Sequence, residues 1–238
     1  MSTAVVFGAS GGIGRALTEA LAASGRYARI HAGGRQVPDD LPSGVEPFAF
    51  DLGDEASIAA AAHRIGGPVD IVLVTSGVLQ DLARAITPEK SFRVIDGAAM
   101  AQVLAVNTIG PALIAKHFLT LLPRDRRAVF AALSARVGSI GDNRLGGWHA
   151  YRASKAALNM LVTNFAIELK RTNPLAIVAA LHPGTVATDL SQPFRRGVAP
   201  ERLFSPAVAA GHLLAVIEAL TPADSGGLFA WDGTRLPS

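Results

Sequence analysis

The chain has 238 residues, half of them apolar and 17% charged, with a formal net charge of +3, which suits one compact core and, with its arginines scattered, argues against a nucleic-acid partner. The absence of cysteine excludes disulfides, thiolate catalysis and cysteine-ligated zinc, and six dispersed histidines without paired carboxylates predict no metal. No linker, repeat, signal peptide or apolar run approaching the ~20 residues of a membrane span is expected, so the reading is a single domain over 1–238 with no membrane partner and a cytoplasmic location.

Residues 4–7 read as a short buried strand that runs directly into a turn with glycines at 8, 12 and 14, and a helical pattern begins at Arg15. Such a turn brings backbone N–H groups and a helix N-terminus against a pyrophosphate. The spacing is GxxxGxG, not GxGxxG, and alone it would be an ordinary glycine-rich turn. At the start of an alternating chain it predicts dinucleotide binding by Gly8, Ser10, Gly12, Ile13 and Gly14.

A second strand at 28–32 ends in Gly33, Gly34 and Arg35, and a third at 45–50 closes on Asp51 and Leu52. Asp54 is placed to cap an alanine-rich helix through Ile65. A fourth strand at 69–74 opens into Thr75, Ser76 and Gly77. A long helix over roughly 100–122 is broken in character around Asn107 to Pro111. A fifth strand at 127–133 precedes an irregular loop to about residue 149, where a helix carrying Tyr151 and Lys155 begins and runs to about 172. The sixth strand, 176–181, ends in His182, Pro183, Gly184, Thr185 and Val186; a helix at 207–220 and a strand at 227–231 complete the chain.

This alternation predicts an α/β class fold, a Rossmann-type doubly wound parallel sheet with helices on both faces. Ligands in that architecture lie beyond the carboxyl ends of the strands. The Gly8 turn, Arg35, Asp51, Ser76 with Gly77, Ser134, and Pro183 with Gly184 all fall at such ends.

Tyr151 and Lys155 are four apart, so they stand one above the other on a helix face. A free tyrosine titrates near ~10, and each unit of downward shift needs about 1.4 kcal/mol of preference for the phenolate. A lysine within roughly 4–6 Å in a partly dry site can supply that preference, readying the phenol to exchange a proton. The same pair is also common on solvated helix faces, so its meaning depends on the nucleotide crevice beside it.

The set Gly8-xxx-Gly12-Ile13-Gly14, Asp51-Leu52, Ser76-Gly77, Asn107, Tyr151-xxx-Lys155 and Pro183-Gly184-xxx-Thr188 resembles the single-domain short-chain dehydrogenases/reductases over essentially the whole chain. Residues 133–140 with 146–151 are similar to the sniffer-type carbonyl reductases and the bacterial C-factor signalling proteins. The resemblance implies hydride transfer between a nicotinamide and a carbonyl or alcohol carbon of a small-molecule substrate. Tyr151 would be the proton donor or acceptor, and Lys155 would hold the nicotinamide ribose and lower the phenol's pKa. Asn107 would help hold a water that links the lysine to solvent. Asp51 would meet the adenine amino group, Ser76 and Gly77 would admit the cofactor closely, and Thr188 would meet the carboxamide. Leu52, Pro183, Gly184 and Val186 are counted with them as cofactor-binding. Relatives commonly pair through the long helices, which implies a homodimer or homotetramer.

The serine departs from the family pattern. Counting thirteen back from the tyrosine lands on Gly138, and aligning the strand end puts the usual serine on Ala135, with Ser134 just before it. Ser134 or Ser139 would orient the substrate oxygen, and Ser134 is preferred because it lies nearer the strand end.

The cofactor expectation is NADP(H) over NAD(H). The second strand ends in Arg35 with no acid before Asp39, and a guanidinium suits a 2′-phosphate. Trp148 and a substrate loop at about 189–205, with Phe194, Arg195 and Arg196, would wall the substrate pocket, whereas His149 and Ser154 read as a loop histidine and a residue facing the cofactor side. The leading reading is an NADP(H)-dependent carbonyl reductase or alcohol dehydrogenase. The alternative is a C-factor-like signalling protein with little turnover. A longer epimerase or dehydratase type is opposed by chain length and by the glycine spacing.

Overall fold

The computed structural model describes residues 2–36, 40–195 and 197–237. Its architecture follows from four strands that are apolar without alternation: β1 (Thr3–Phe7), β4 (Ile71–Val74), β5 (Ala128–Leu133) and β6 (Ala176–His182). Strands written this way are buried on both faces, the condition of a parallel sheet between helix layers. Alternate residues serve two cores. Val5, Phe7, Val72, Val74, Phe130 and Ala132 face one side, while Val6, Leu73, Val129 and Ala131 face the other.

The main sheet adds β2 (Arg29–Gly34), β3 (Val45–Ala49), β9 (Leu228–Ala230) and β10 (Arg235–Leu236). The order is β10-β9-β6-β5-β4-β1-β2-β3. All neighbours are parallel except β10 with β9, so the sheet is the expected parallel one with a hairpin added at one edge, where a short turn lets the chain fold back. Helices α1 (Gly12–Ser24) and α6 (Pro206–Ala219) cover one face. The other face is covered by α2 (Glu55–Ile65), α4 (Gly110–Phe118) and α5 (His149–Lys170). Asp54 caps α2 as expected, its carboxylate accepting from Ala56 N at 3.0 Å. A small second sheet, β7 (Thr185–Val186) with β8 (Leu203–Phe204), was not visible in the sequence.

The break near Asn107 is a five-residue π turn, Ala105–Ile109, between α3 (Gly97–Leu104) and α4. Gly110 N–H donates to Ala105 O, five residues back, and Pro111 has no N–H to give to the carbonyl of Asn107. The helical stretch Gly97–Leu121 is 25 residues long and apolar enough to cross a membrane by length and composition, which corrects the expectation that no such run exists. Its Val103, Ile114, Ala115 and Phe118 are buried in the protein interior, and Lys116 and His117 pair with Glu55. One face is thus buried in the protein while Ile109 stands exposed on another, as in a helix lying against a core.

The core beneath α4 centres on Phe7, whose ring meets Phe48, Phe50 and Phe118 edge-on at 5.2, 4.9 and 4.9 Å. Phe118 is fully buried there. Phe118→Ala is expected to lower the unfolding free energy by about 3–5 kcal/mol, measured by urea titration with an unchanged m-value.

Candidate active site

A crevice of about 820 Å³ opens at the carboxyl ends of β1, β2 and β4. Gly8 leaves β1 with φ +91, and its N–H and that of Ala9 both donate to Gly33 O, at 2.8 and 2.9 Å. A side chain at Gly14 would overlap Gly8 O, so the turn closes only on glycine. Helix α1 then begins with Gly11 at its N-cap, no side-chain cap and no acid in its first turn. Its free N–H groups and positive dipole end are left for an anion. Thr75 Oγ braces the turn, donating to Phe7 O at 2.7 Å.

Gly8, Ser10, Gly12, Ile13, Gly14, Arg35, Asp51, Leu52, Ser76, Gly77 and Thr188 line this crevice. Asp51 also closes its own turn, accepting from Gly53 N at 2.8 Å. Arg15 faces α1's own surroundings and is held by Asp40 and Glu19 at 2.7 and 2.6 Å. Pro183, Gly184 and Val186 stand just after β6 and lead to Thr188, whose methyl a side chain at Gly12 would meet at 2.9 Å. Sequence reasoning missed Gln80, Asp81 and Arg84 in the wall, since nothing periodic marks the loop that carries them. Asp39 and Arg196 lie outside the described residues.

The Tyr151 helix is fixed from several sides. Asn107, fully buried in the π turn, uses its amide both ways against Val78, accepting from its N–H and donating to its C=O at 2.8 Å each. The same Nδ2 donates to Ser154 Oγ at 3.0 Å, and Ser154 Oγ donates to Tyr151 O at 2.8 Å. Thr108 Oγ donates to Ser154 O at 2.8 Å. Ser154 is fully buried, so it ties the π turn to α5 and does not face the cofactor side. At the helix start, Trp148 holds the N-cap place with φ 51, and its ring meets that of Tyr151 edge-on at 6.3 Å. The buried Glu89 carboxylate receives Ala150 N at 3.2 Å, and Glu89 O receives Trp148 N at 2.5 Å. Glu89 thereby supplies the cap that Trp148 does not, another feature hidden by its distance in sequence.

Lys155 Nζ donates to Leu133 O at 2.8 Å and lies 5.8 Å from the centre of the Tyr151 ring. Burial pushes the Tyr151 phenol up to about 12 and the Lys155 ammonium down to about 8. The expectation that Lys155 lowers the phenol's pKa is therefore corrected for the polypeptide alone. The ammonium faces the ring and a carbonyl, and desolvation alone moves each group toward its uncharged form.

The serines separate. Ser134 Oγ is buried and donates to Asn159 Oδ1 at 2.7 Å. Asn159 lies roughly 12 Å along the axis from Tyr151 at about 1.5 Å per residue. Ser134 is thus turned toward α5's interior, against the preference stated for it. Ser139, also buried, accepts from Asp142 N at 3.1 Å, which leaves its own proton to give. Gly138 before it sits on α5, where a side chain would meet Lys155 Cβ at 2.6 Å. His182 ends β6 with its Nδ1 buried and unpartnered, and burial pushes its pKa down to about 4.

A family model described as short chain dehydrogenase matches residues 2–199. The C-signal of Myxococcus xanthus is 33% identical over 179 residues, covering 75% of this chain and 98% of that protein. The 1-hydroxy-2-glutathionyl-2-methyl-3-butene dehydrogenase of Rhodococcus sp. (strain AD45) is 33% identical over 244 aligned positions, 99% of each chain. Two solved structures share the fold. Carbonyl reductase Sniffer of D. melanogaster has a TM-score of 0.85 at 21% identity, covering 100% of this chain and 99% of that one. The NADPH-bound carbonyl reductase from chicken fatty liver has a TM-score of 0.83 at 24% identity, covering 99% and 94%.

His182 has a consequence for stability. Its ordinary value of 6.5 applies to the unfolded chain, which therefore binds a proton that the folded chain refuses between pH 6.5 and about 4. Stability is fully present above 6.5 and is lost as pH falls toward 4, by at most about 1.4 kcal/mol per pH unit. Melting curves from pH 7.5 to 4.5 should fall more steeply for the wild type than for His182→Gln; parallel curves would contradict this.

Proposed function

Because the chain belongs to the short chain dehydrogenase family, and is an oxidoreductase by that membership, we propose that it transfers a hydride between NADP(H) and a carbonyl or alcohol carbon. The observation that carries this reading is the Tyr151 and Lys155 pair, locked by Asn107 and Ser154, with Lys155 Nζ next to Gly77 in the wall of a crevice whose helix N-terminus is uncapped. Bound NADPH supplies the hydride. The chain binds, orients and moves the proton.

The free N–H groups of α1 and the close approach at Gly8 and Gly14 suit a pyrophosphate. Arg35, exposed at the end of β2, would take the 2′-phosphate, and Asp51, in the same crevice wall, would meet the adenine. Lys155, which now donates to Leu133 O, would hold the ribose hydroxyls when the nucleotide is bound. A phenol near 12 is fully protonated at neutral pH, so Tyr151 begins as an acid and gives its proton to the alkoxide oxygen in reduction. Ser139, with a free proton and Gly138 seated on Lys155, is the better donor to that oxygen than Ser134.

The Rhodococcus relative is named as the dehydrogenase of a 1-hydroxy compound, which supports an alcohol/aldehyde pair as the substrate class. The C-signal relative favours a second reading, a cofactor-binding signalling protein with little turnover. Exposed Met160 and Ile167 on α5 support pairing of two or four copies through the long helices. A cytoplasmic setting completes the proposal.

The test follows NADPH oxidation against a panel of aldehydes, ketones and quinones. Tyr151→Phe should lower kcat by roughly 10²–10⁴-fold, and Ser139→Ala should lower it far more than Ser134→Ala. Wild-type turnover absent across the panel, with NADPH still bound, would favour the signalling reading. Arg35→Ala should weaken NADPH by roughly 10–100-fold and leave NADH nearly unchanged, read as dissociation constants by fluorescence titration. Equal losses for both would overturn the NADP assignment.

A further inference from the structure

A second group of polar side chains lies where β5 and β6 end under α5. The two strands run in register through Leu133 and Leu181, and Ser134 N continues the ladder to Leu181 O at 2.8 Å. Ser134 and His182 are therefore neighbours one step further on. Side-chain alternation sends both to the face of Ala132 and Ala180, which Leu158 and Val162 of α5 cover. From α5, one turn beyond Lys155, Asn159 reaches the same place, and its Oδ1 receives the Ser134 hydroxyl at 2.7 Å.

Two buried atoms of this group have no protein partner, Asn159 Nδ2 and His182 Nδ1. Their chemistry is complementary. An amide nitrogen only donates, and the bare nitrogen of a neutral imidazole only accepts. Ser134 Oγ has given its proton to Asn159 and keeps lone pairs. One water can accept from Asn159 Nδ2 and donate to His182 Nδ1 and Ser134 Oγ, three bonds of the number that buried waters usually make.

We propose that Ser134, Asn159 and His182 hold an internal water behind Lys155, and that His182 is a positioning residue for that lysine. Leu133 O, which receives Lys155 Nζ, belongs to the peptide that leads into Ser134. Asn159 lies one turn from Lys155 on the same helix. The bound water therefore joins the end of β5 to the turn of α5 from which the ammonium reaches out. The ionisable groups around His182 are Arg136 from the turn after β5, itself paired with Asp142 at 2.5 Å, and Asp232 after β9.

The water site stands by itself, whereas the effect on Lys155 rests on the hydride-transfer reading, and the experiment separates the two. Imidazole ¹⁵N–¹H correlation spectra of histidine-labelled protein, with His182 assigned through His182→Gln, should show a neutral Nε2–H tautomer with Nδ1 accepting a hydrogen bond. Asn159→Ala should move the His182 Nδ1 resonance. An Nδ1–H tautomer, or a resonance unmoved by Asn159→Ala, would remove the site even if the enzyme proves active. For the positioning role, His182→Phe keeps the ring and removes the acceptor. It should lower kcat roughly 3–10-fold and displace the alkaline limb of the kcat–pH profile, the loss expected from one buried hydrogen bond. His182→Gln, which retains an acceptor, should restore most of both. A His182→Phe profile that superposes on the wild type, with only the melting temperature reduced, would make the residue structural and overturn the role.

Discussion

The geometry of the site depends on one interruption in a helix. A regular helix through Asn107 would spend its carbonyl on residue 111, but residue 111 is proline, and the chain relaxes into a π turn. The turn points a buried amide at two other elements at once. Asn107 satisfies both backbone groups of Val78 on the loop after β4 and donates to Ser154 on α5. Each bond contributes about 0.5–1.5 kcal/mol net, but losing the amide strands buried partners, at about 1–3 kcal/mol each. Crevice wall and Tyr151 helix are thus held in one relation to each other by the side chain between them. Thr108 and Ser154 tighten the same joint.

Electrostatics at the joint are decided by burial before they are decided by pairing. Lys155 is buried and Tyr151 half-buried, and each moves toward its uncharged form. Leu133 O holds the ammonium by a 2.8 Å bond, and the phenol's π face, not its oxygen, is what the cation meets. Any partner that draws Nζ from that carbonyl changes the balance for both groups together. A ribose with two hydroxyls would be a partner of that kind, and on the proposed function it would couple nucleotide binding to proton readiness through a single amine.

The sheet was legible because burial on both faces writes continuous apolar runs, and β1, β4, β5 and β6 fall within a residue or two of where those runs lie. Asp54 and the glycine turn were legible for the same reason, since each acts on residues next to it in the chain. What stayed hidden depends on residues far apart in sequence. Glu89 caps α5 from a loop sixty residues upstream, Asn159 receives Ser134 across 25 residues, and β7 finds β8 only after the intervening loop has returned. Periodicity carries no trace of such pairings. The orientation of Lys155 was hidden for another reason: its competing acceptor is a backbone carbonyl, which every residue possesses.

The misplaced serine is explained by the same packing that fixes the lysine. Counting back from Tyr151 by the family interval lands on Gly138, and Gly138 is where the connection from β5 crosses α5 at Lys155. No side chain fits there, because its first carbon would stand 2.6 Å from Lys155 Cβ. A hydroxyl is therefore sterically barred from the counted position, and on the proposed function would come from one residue later or from the strand end. At the strand end Ala135 carries none, and Ser134 has committed its proton to Asn159. Ser139 alone among these follows the glycine that touches Lys155, and its oxygen accepts from Asp142 N and is still free to donate. The longer connection is braced by Arg136 with Asp142, so the displacement of the serine is built into the loop.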